Sequence, residues 1–294
     1  MRKVIGICGR EGAGKTTAAD YITSSASTST ITERTLTNPW AYVLDCLFGF
    51  DYEEMCMVVP VSNDRSEILN IRENPKARKA LEQIFDAFDT VFPNIYTTTP
   101  TKFTVPVVYS NADWVQITLS DPLKRVCTAI TGIPYEILLG SESKLRKIRD
   151  TKKYDVGGMT MTGREVLEQV GTQVFRMQID AEFWIKIAEA QIIRNPLINF
   201  VLPDIRFSNE YDMLKRLGGI LLVIYKSVDD LILTSDDKKQ HPAKWNFLEF
   251  CNDAYRIPNK DTLYYLYERL EIIRNNTDQI DLIQKESPKV LNHE

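Results

Sequence analysis

A chain of 294 residues with 44% hydrophobic and 26% charged residues has the make-up of an ordinary globular protein, long for one domain and short for two large ones. Its formal net charge of −4, from 36 basic and 40 acidic residues, argues against nucleic acid or an anionic membrane as a global partner. No apolar run approaches the ~18 residues of a transmembrane helix, and the first residues read as a strand rather than a secretory signal, so a cytoplasmic setting is expected. The five cysteines, Cys8, Cys46, Cys56, Cys127 and Cys251, form no C-x-x-C pair and read as buried thiols in a reducing compartment, while His241 and His293 are too few for a histidine metal centre.

The first predicted element is a β-branched strand over 2–8. Gly9-Arg10-Glu11-Gly12-Ala13-Gly14-Lys15-Thr16 follows and fits G-x-x-x-x-G-K-[ST] at every fixed position, with a helix predicted from Thr17. Strand, glycine turn and helix are the context in which this pattern cradles phosphate. Backbone N–H groups of Gly12, Ala13, Gly14, Lys15, Thr16 and Thr17 can line one concave nest, and the helix N-terminus adds roughly half a positive charge. Lys15 is expected to reach the β/γ-phosphates and the Thr16 hydroxyl to ligate Mg²⁺. The loop therefore implies a bound nucleoside triphosphate with Mg²⁺.

The Ser/Thr tract 23–30 reads as a loop or a frayed helix end. Residues 31–111 are poor in nucleotide-binding signals and contain one clear amphipathic helix, 76–91, with Leu81, Ile84, Phe85, Phe88 and Phe92 at helical spacing. A stretch rich in Pro and Thr, 92–106, reads as an extended surface excursion. The α/β rhythm resumes with a strand at 114–119 and a helix at 122–131 opened by an Asx cap and proline. Residues 142–154 hold six basic side chains, Lys144, Arg146, Lys147, Arg149, Lys152 and Lys153, before a flexible Gly157-Gly158. This is a candidate phosphate-closing lid over about 141–160. Helices are then predicted at 162–177 and 182–194, a strand at 199–203, a helix at 209–217 stopped by Gly218-Gly219, a continuous apolar strand at 220–225 and a closing helix at 262–275. Strands alternating with helices behind a phosphate loop imply a parallel sheet covered on both faces.

Several side chains outside the loop are candidates for chemistry. Asp204 ends the strand Val201-Leu202-Pro203, at the edge where open α/β sheets bind ligands, and is a Walker-B-like candidate for Mg²⁺. Arg206 and Glu210 follow it. Lys124 and Arg125 sit near a helix N-terminus, where the macrodipole disfavours cations, which hints at an anionic partner. Thr162 and Glu165 form a capping-box pattern that leaves Arg164 unexplained. Trp184 offers a flat face that can stack on a base.

Taken in order, these segments line up with one family. The phosphate loop, Ser120-Asp121-Pro122-Leu123-Lys124, the run Thr162-Gly163-Arg164-Glu165-Val166-Leu167-Glu168-Gln169-Val170-Gly171-Thr172, Phe183-Trp184, Asp204-Ile205-Arg206-Phe207-Ser208-Asn209-Glu210 and Gly218-Gly219 resemble the deoxynucleoside monophosphate kinases of large viruses and tailed phages. Ile257-Pro258-Asn259-Lys260-Asp261-Thr262-Leu263 resembles the loop near which that family's adenine lies, making Asn259 a cofactor-binding candidate. The resemblance covers residues 1–23 and about 115–275. It implies a single three-layer P-loop kinase domain with core segments at about 1–23 and 113–275. A largely helical insertion at 24–112, the basic lid and a tail at 276–294 complete it. It also implies transfer of the ATP γ-phosphate to a deoxynucleoside 5′-monophosphate.

Carried over by position, Arg164, Gln169, Thr172 and Trp184 are expected to face the monophosphate, with Gly171, Lys124 and Arg125 as further substrate-binding candidates. Lys15, Arg164, Asp204 and Arg206 are the expected catalytic residues, and Asp204, Arg206 and Glu210 are expected to border the reacting phosphates. Thr16 and Asp204 are the expected metal ligands. The expected partner is a small-molecule dNMP, with neither nucleic acid nor membrane, and a homodimer is left open. His241-Pro242-Ala243-Lys244 departs from the family's late His-x-Ser-Glu. Two rivals share the loop. One is a dephospho-coenzyme A or phosphomevalonate type of kinase, which makes poor use of Gln169 and Trp184. The other is a GTPase-type switch, whose guanine motif N-K-x-D is not matched by Asn259-Lys260-Asp261-Thr262.

Overall fold

The computed structural model describes residues 2–24, 30–36, 75–92, 103–110, 114–240, 242–260 and 262–275. Expectations resting on the rest of the inserted segment, on Cys46, Cys56, His241 and His293, or on the tail lie outside the described residues. In chain order the elements are β1 (Val4–Cys8), α1 (Lys15–Ser24), β2 (Thr30–Leu36), α2 (Pro75–Val91), β3 (Phe103–Ser110), β4 (Trp114–Gln116), α3 (Asp121–Thr131), α4 (Tyr135–Leu139), α5 (Ser143–Thr151), β5 (Lys153–Val156), β6 (Met159–Thr162), α6 (Gly163–Glu168), a π-helix (Gln169–Ile179), α7 (Phe183–Arg194), β7 (Asn199–Leu202), α8 (Ser208–Arg216), β8 (Ile220–Tyr225), β9 (Tyr255–Pro258) and α9 (Leu263–Asn275), with short 3₁₀ turns between β8 and β9. The chain divides into two compact units: one holds residues 1–30, 109–118 and 192–294, the other 31–108 and 119–191.

The first unit is an α/β layer structure of the P-loop kinase type, with five parallel strands in the order β4-β7-β1-β8-β9. Ile5 stands opposite Val201 in β7 and Ile220 in β8, and Ile224 opposite Ile257 in β9. The near-continuous apolar runs Val4-Ile5-Gly6-Ile7-Cys8 and Leu221-Leu222-Val223-Ile224-Tyr225 are what a strand covered on both faces requires. Side chains alternate between faces. Ile5, Ile7, Leu222 and Ile224 pack with Ala18, Ala19 and Ile22 of α1 and Leu266, Leu270 and Ile273 of α9. On the other face α8 lies so close that a Cβ on Gly6 would come within 2.5 Å of Leu214 Cδ2. Because all five strands are parallel, the segments after β1, β7 and β9 leave from one edge, on which the site is built.

The core of the second unit gathers Phe85, Phe88 and Phe92, Val126 and Ile130 of α3, Val170, Val174 and Phe175 of the π-helix, and Phe183, Trp184 and Ile187 of α7. Phe88 and Phe175 meet edge to face at 5.7 Å. The amphipathic helix expected at 76–91 is α2. Three expectations are corrected here. The inserted segment is not simply helical: β2 and β3 form a two-stranded sheet within it. Phe-Thr-Val-Pro-Val-Val-Tyr-Ser is β-branched enough to extend. Gly157 and Gly158 are the two-residue turn of the β5–β6 hairpin, with φ of 58° and 84°, rather than a flexible hinge. The α3 cap is shifted by one residue: Ser120 is the N-cap and Asp121 already helical, with Gly132 closing the helix at φ 71°. Among the described residues no helix is long and apolar enough to cross a membrane, and Cys8, Cys127 and Cys251 are free, buried thiols.

Candidate active site

The phosphate loop is built by its glycines. Gly9 has φ 142°, and a Cβ there would sit 2.3 Å from the Ile224 carbonyl oxygen; Gly14 has φ 101°, and a Cβ there would sit 2.5 Å from Asn259 Nδ2. Neither position tolerates a side chain, so the loop passes under β8 and beside Asn259 only as glycine. The Ala13 N–H donates to the Arg10 carbonyl at 3.2 Å and closes the turn. Asn259 follows β9, donates its backbone N–H to the Tyr225 carbonyl at 2.7 Å, and reaches the Ala13 carbonyl at 2.8 Å through Nδ2. A short parallel strand thus carries Asn259 to the loop.

Lys15 begins α1 and folds back, donating to the carbonyls of Gly9 and Arg10 at 2.9 and 3.0 Å. Burial pulls its ammonium below the ordinary lysine range, and the charge of Asp204 opposes that shift. Asp204 follows β7, and its Oδ2 takes an ion pair from Arg206 at 2.5 Å. Its Oδ1 is buried and has no hydrogen-bond partner among the described residues. Burial works against the Arg206 charge, but Asp204, Glu210 and Glu11 more than offset it, and the net shift is upward. Glu210 is 6% exposed and accepts from the N–H groups of Arg206 at 2.7 Å and Phe207 at 3.1 Å. Burial raises its carboxyl despite those two donors. Its visible task is to shape the turn that presents Arg206. Thr16 is exposed in the first turn of α1.

This unit brings Lys15, Thr16, Asp204, Arg206, Glu210 and Asn259 to one sheet edge. The donor set suits Mg²⁺: a hydroxyl and a carboxylate oxygen without a partner among the described residues, hard oxygens of the kind that ion takes. Among the described residues there is no cluster of three or more His, Cys, Asp or Glu arranged as a self-sufficient cage.

The second unit holds the remaining candidates. The capping box is present as expected, with Glu165 N–H donating to Thr162 Oγ1 at 3.2 Å and Thr162 N–H to Glu165 at 2.6 Å. Arg164, just inside that cap, is 65% exposed and meets Asp150 of α5 at 3.5 Å. Asp150 also accepts from Arg149 at 2.8 Å, and that hydrogen bond, with the charges of Arg149, Arg164 and Arg146, holds its carboxyl below the usual range against the opposing effect of burial. Asp150 thus links α5 to Arg164, a link that sequence spacing does not signal. Arg125 donates through Nε to Asp121 at 2.7 Å and lies over the Tyr135 ring, whose hydroxyl donates to the same carboxylate. Asp121 in the first turn of α3 therefore answers the cation penalty that had suggested an anion. Lys124 is partly buried in the same helix.

The helix predicted over 162–177 turns into a π-helix at Gln169. The wider winding buries Val170, Gly171, Val174 and Phe175 and leaves Gln169 and Thr172 partly exposed, while Arg176 is exposed. Gly171 is a packing glycine: a Cβ there would lie 2.7 Å from Leu123 Cδ2. Trp184 is corrected. It is 3% exposed, packs against Phe175 at 4.8 Å and Phe183 at 5.1 Å, and donates Nε1–H to the Gly171 carbonyl at 3.1 Å. No ring face is open to a base.

Comparison with known proteins points the same way as the loop. No family model matches the chain. Over 182 residues, 57% of this chain and 86% of the relative, the chain is 23% identical to a protein of Acanthamoeba polyphaga mimivirus named "Putative deoxynucleotide monophosphate kinase".

Proposed function

We propose that this chain is an ATP-dependent phosphotransferase that acts on deoxynucleoside 5′-monophosphates, giving the dNDP and ADP. The observation that carries the reading is the pairing at one sheet edge of a complete phosphate loop with Asp204, whose buried Oδ1 has no hydrogen-bond partner among the described residues. The mimivirus relative's name supports the class of acceptor.

In this reading Lys15 exchanges the carbonyls of Gly9 and Arg10 for β/γ-phosphate oxygens, and its charge follows the phosphoryl group in flight. Arg206, held by Asp204 and by the turn that Glu210 shapes, neutralises charge on the transferring group. Thr16 and Asp204 are the residues that would hold Mg²⁺, which would supply charge neutralisation to the phosphates. Asn259 borders the donor nucleotide. On the second unit, Arg164, Lys124, Arg125, Gln169, Gly171 and Thr172 are assigned to the acceptor, with Arg164 the most exposed of the set's arginines. Trp184 contributes by holding the Gly171 carbonyl rather than by stacking. An acceptor monophosphate is already anionic at neutral pH, so positioning and charge neutralisation suffice without a strong base.

The test is a coupled ADP-release assay with ATP and Mg²⁺ across eight ribo- and deoxyribonucleoside monophosphates. Turnover on at least one dNMP, exceeding that on its ribo counterpart, is expected. No ADP release above background with any of the eight refutes the proposal.

A further inference from the structure

Arg10 occupies the first variable position of the phosphate loop, where the pattern asks for no particular side chain. Yet its guanidinium makes four hydrogen bonds, all to the segment after β8. Nη1 and Nη2 donate to the two carboxylate oxygens of Asp237 at 2.6 and 2.9 Å, Nε donates to the Asp230 carbonyl at 3.0 Å, and Nη2 also donates to the Ile232 carbonyl at 3.0 Å. Asp237 is buried, its side chain 7% exposed, and accepts in addition the N–H and hydroxyl of Thr234 at 2.9 and 2.7 Å. A buried carboxylate with both oxygens met by a planar fork is a built anchor, and removing either partner strands the other. The same Arg10 supplies, through its backbone carbonyl, one of the two acceptors on which Lys15 rests.

We infer that Arg10 is a positioning residue for the phosphate loop. The glycines at 9, 12 and 14, all at positive φ, leave the loop free to wander. The Arg10–Asp237 pin ties its leading end to the 3₁₀ turns Val228–Leu231 and Asp237–Lys239 before any phosphate arrives. The N–H nest is thereby pre-organised. Lys15 keeps a fixed resting acceptor, from which it swings to phosphate without carrying the loop with it. Less ordering is left for the nucleotide to impose, so binding is tighter. Lysine cannot replace this arginine, since one point donor cannot meet two carboxylate oxygens and two carbonyls at once.

This inference rests on the reading of the loop as an ATP site. The experiment uses the full chain as wild type, Arg10→Lys, Asp237→Asn, the double variant and Thr234→Val. For each, calorimetry gives Kd for MgATP, and the coupled assay gives the acceptor KM and kcat. Arg10→Lys and Asp237→Asn are each expected to raise Kd for MgATP about tenfold with the acceptor KM within twofold. The double variant should be no weaker than the weaker single, because both remove one pin. Thr234→Val keeps the ion pair and is expected to raise Kd two- to threefold; it decides the matter if the other variants fail to fold, and an unchanged Kd there overturns the inference. Wild-type binding of MgATP with Arg10→Lys and Asp237→Asn within twofold of it also overturns the inference, even if both melt earlier, while the ATP-site reading stands. Absence of MgATP binding by the wild type removes both.

Discussion

Replacing Trp184 by alanine separates a core indole from a substrate platform. The ring is 97% removed from solvent, given its 3% exposure, and it touches Phe175 and Phe183 at centroid distances of 4.8 and 5.1 Å. Truncating a buried aromatic of this kind costs about 3–5 kcal/mol, from lost transfer energy and the cavity left behind. The indole N–H to Gly171 carbonyl bond adds about 1 kcal/mol if that carbonyl then goes unpaired. At about 2–4 °C per kcal/mol for a domain of this size, Trp184→Ala is expected to lower Tm by roughly 8–24 °C. Trp184→Phe retains most of the apolar contact and loses only the N–H and part of the ring, so it should lose about a third to a half as much. The assay is thermal unfolding followed by circular dichroism, run beside the acceptor KM measured well below the variant's Tm. The acceptor KM of Trp184→Phe is expected to stay within about threefold of wild type. If instead both variants melt within 2 °C of wild type while the acceptor KM rises tenfold or more, the indole is a base platform and the argument from burial fails.

Lys15→Ala should leave the fold intact and lower turnover about a hundredfold or more, the equivalent of about 3 kcal/mol of lost transition-state stabilisation; turnover within tenfold of wild type in the coupled assay contradicts it. Glu210→Gln keeps an acceptor for the N–H groups of Arg206 and Phe207 and removes a buried charge, so its Tm at pH 7 should match or exceed wild type, whereas Glu210→Ala strands both donors at about 1–3 kcal/mol. Equal melting of the two variants would show that the carboxylate does not hold that turn. Glu165 is held down to about 2 by Lys153 and by the Thr162 cap, below its ordinary 4.5. A depressed acid stabilises the fold above its unfolded pKa and loses that contribution as pH falls through the folded one. The Tm advantage of wild type over Lys153→Ala should therefore be full at pH 6 and shrink between about pH 4.5 and 2, and a gap that stays constant over that range assigns it to something other than this ion pair.

The local features were legible in the linear chain because each is written in neighbouring residues. The phosphate loop needs only eight consecutive residues, and its strand and helix are the two flanking runs. The Thr162–Glu165 cap spans four residues, the apolar stripe of α2 repeats at helical spacing, and the unbroken apolar run of β8 announces a strand covered on both faces. Asp204 could be picked out because a parallel sheet sends every strand's C-terminal end to one edge.

What the tertiary structure alone decided are matters of who meets whom across long separations. Arg10 and Asp237 stand 227 residues apart, and neither carries a local signature of the other. Asn259 reaches the loop because Tyr255–Pro258 adds a fifth strand beside β8, a run too short and too polar to read as a strand beforehand. Trp184 and Phe183 are adjacent in sequence, and helical geometry allowed one to face the core and one a cleft. The π-helix turns Phe175 and the Gly171 carbonyl toward α7, and packing draws both rings inside. Aromatic burial is set by the volume that neighbouring elements leave unfilled, and that volume exists only once the chain has folded.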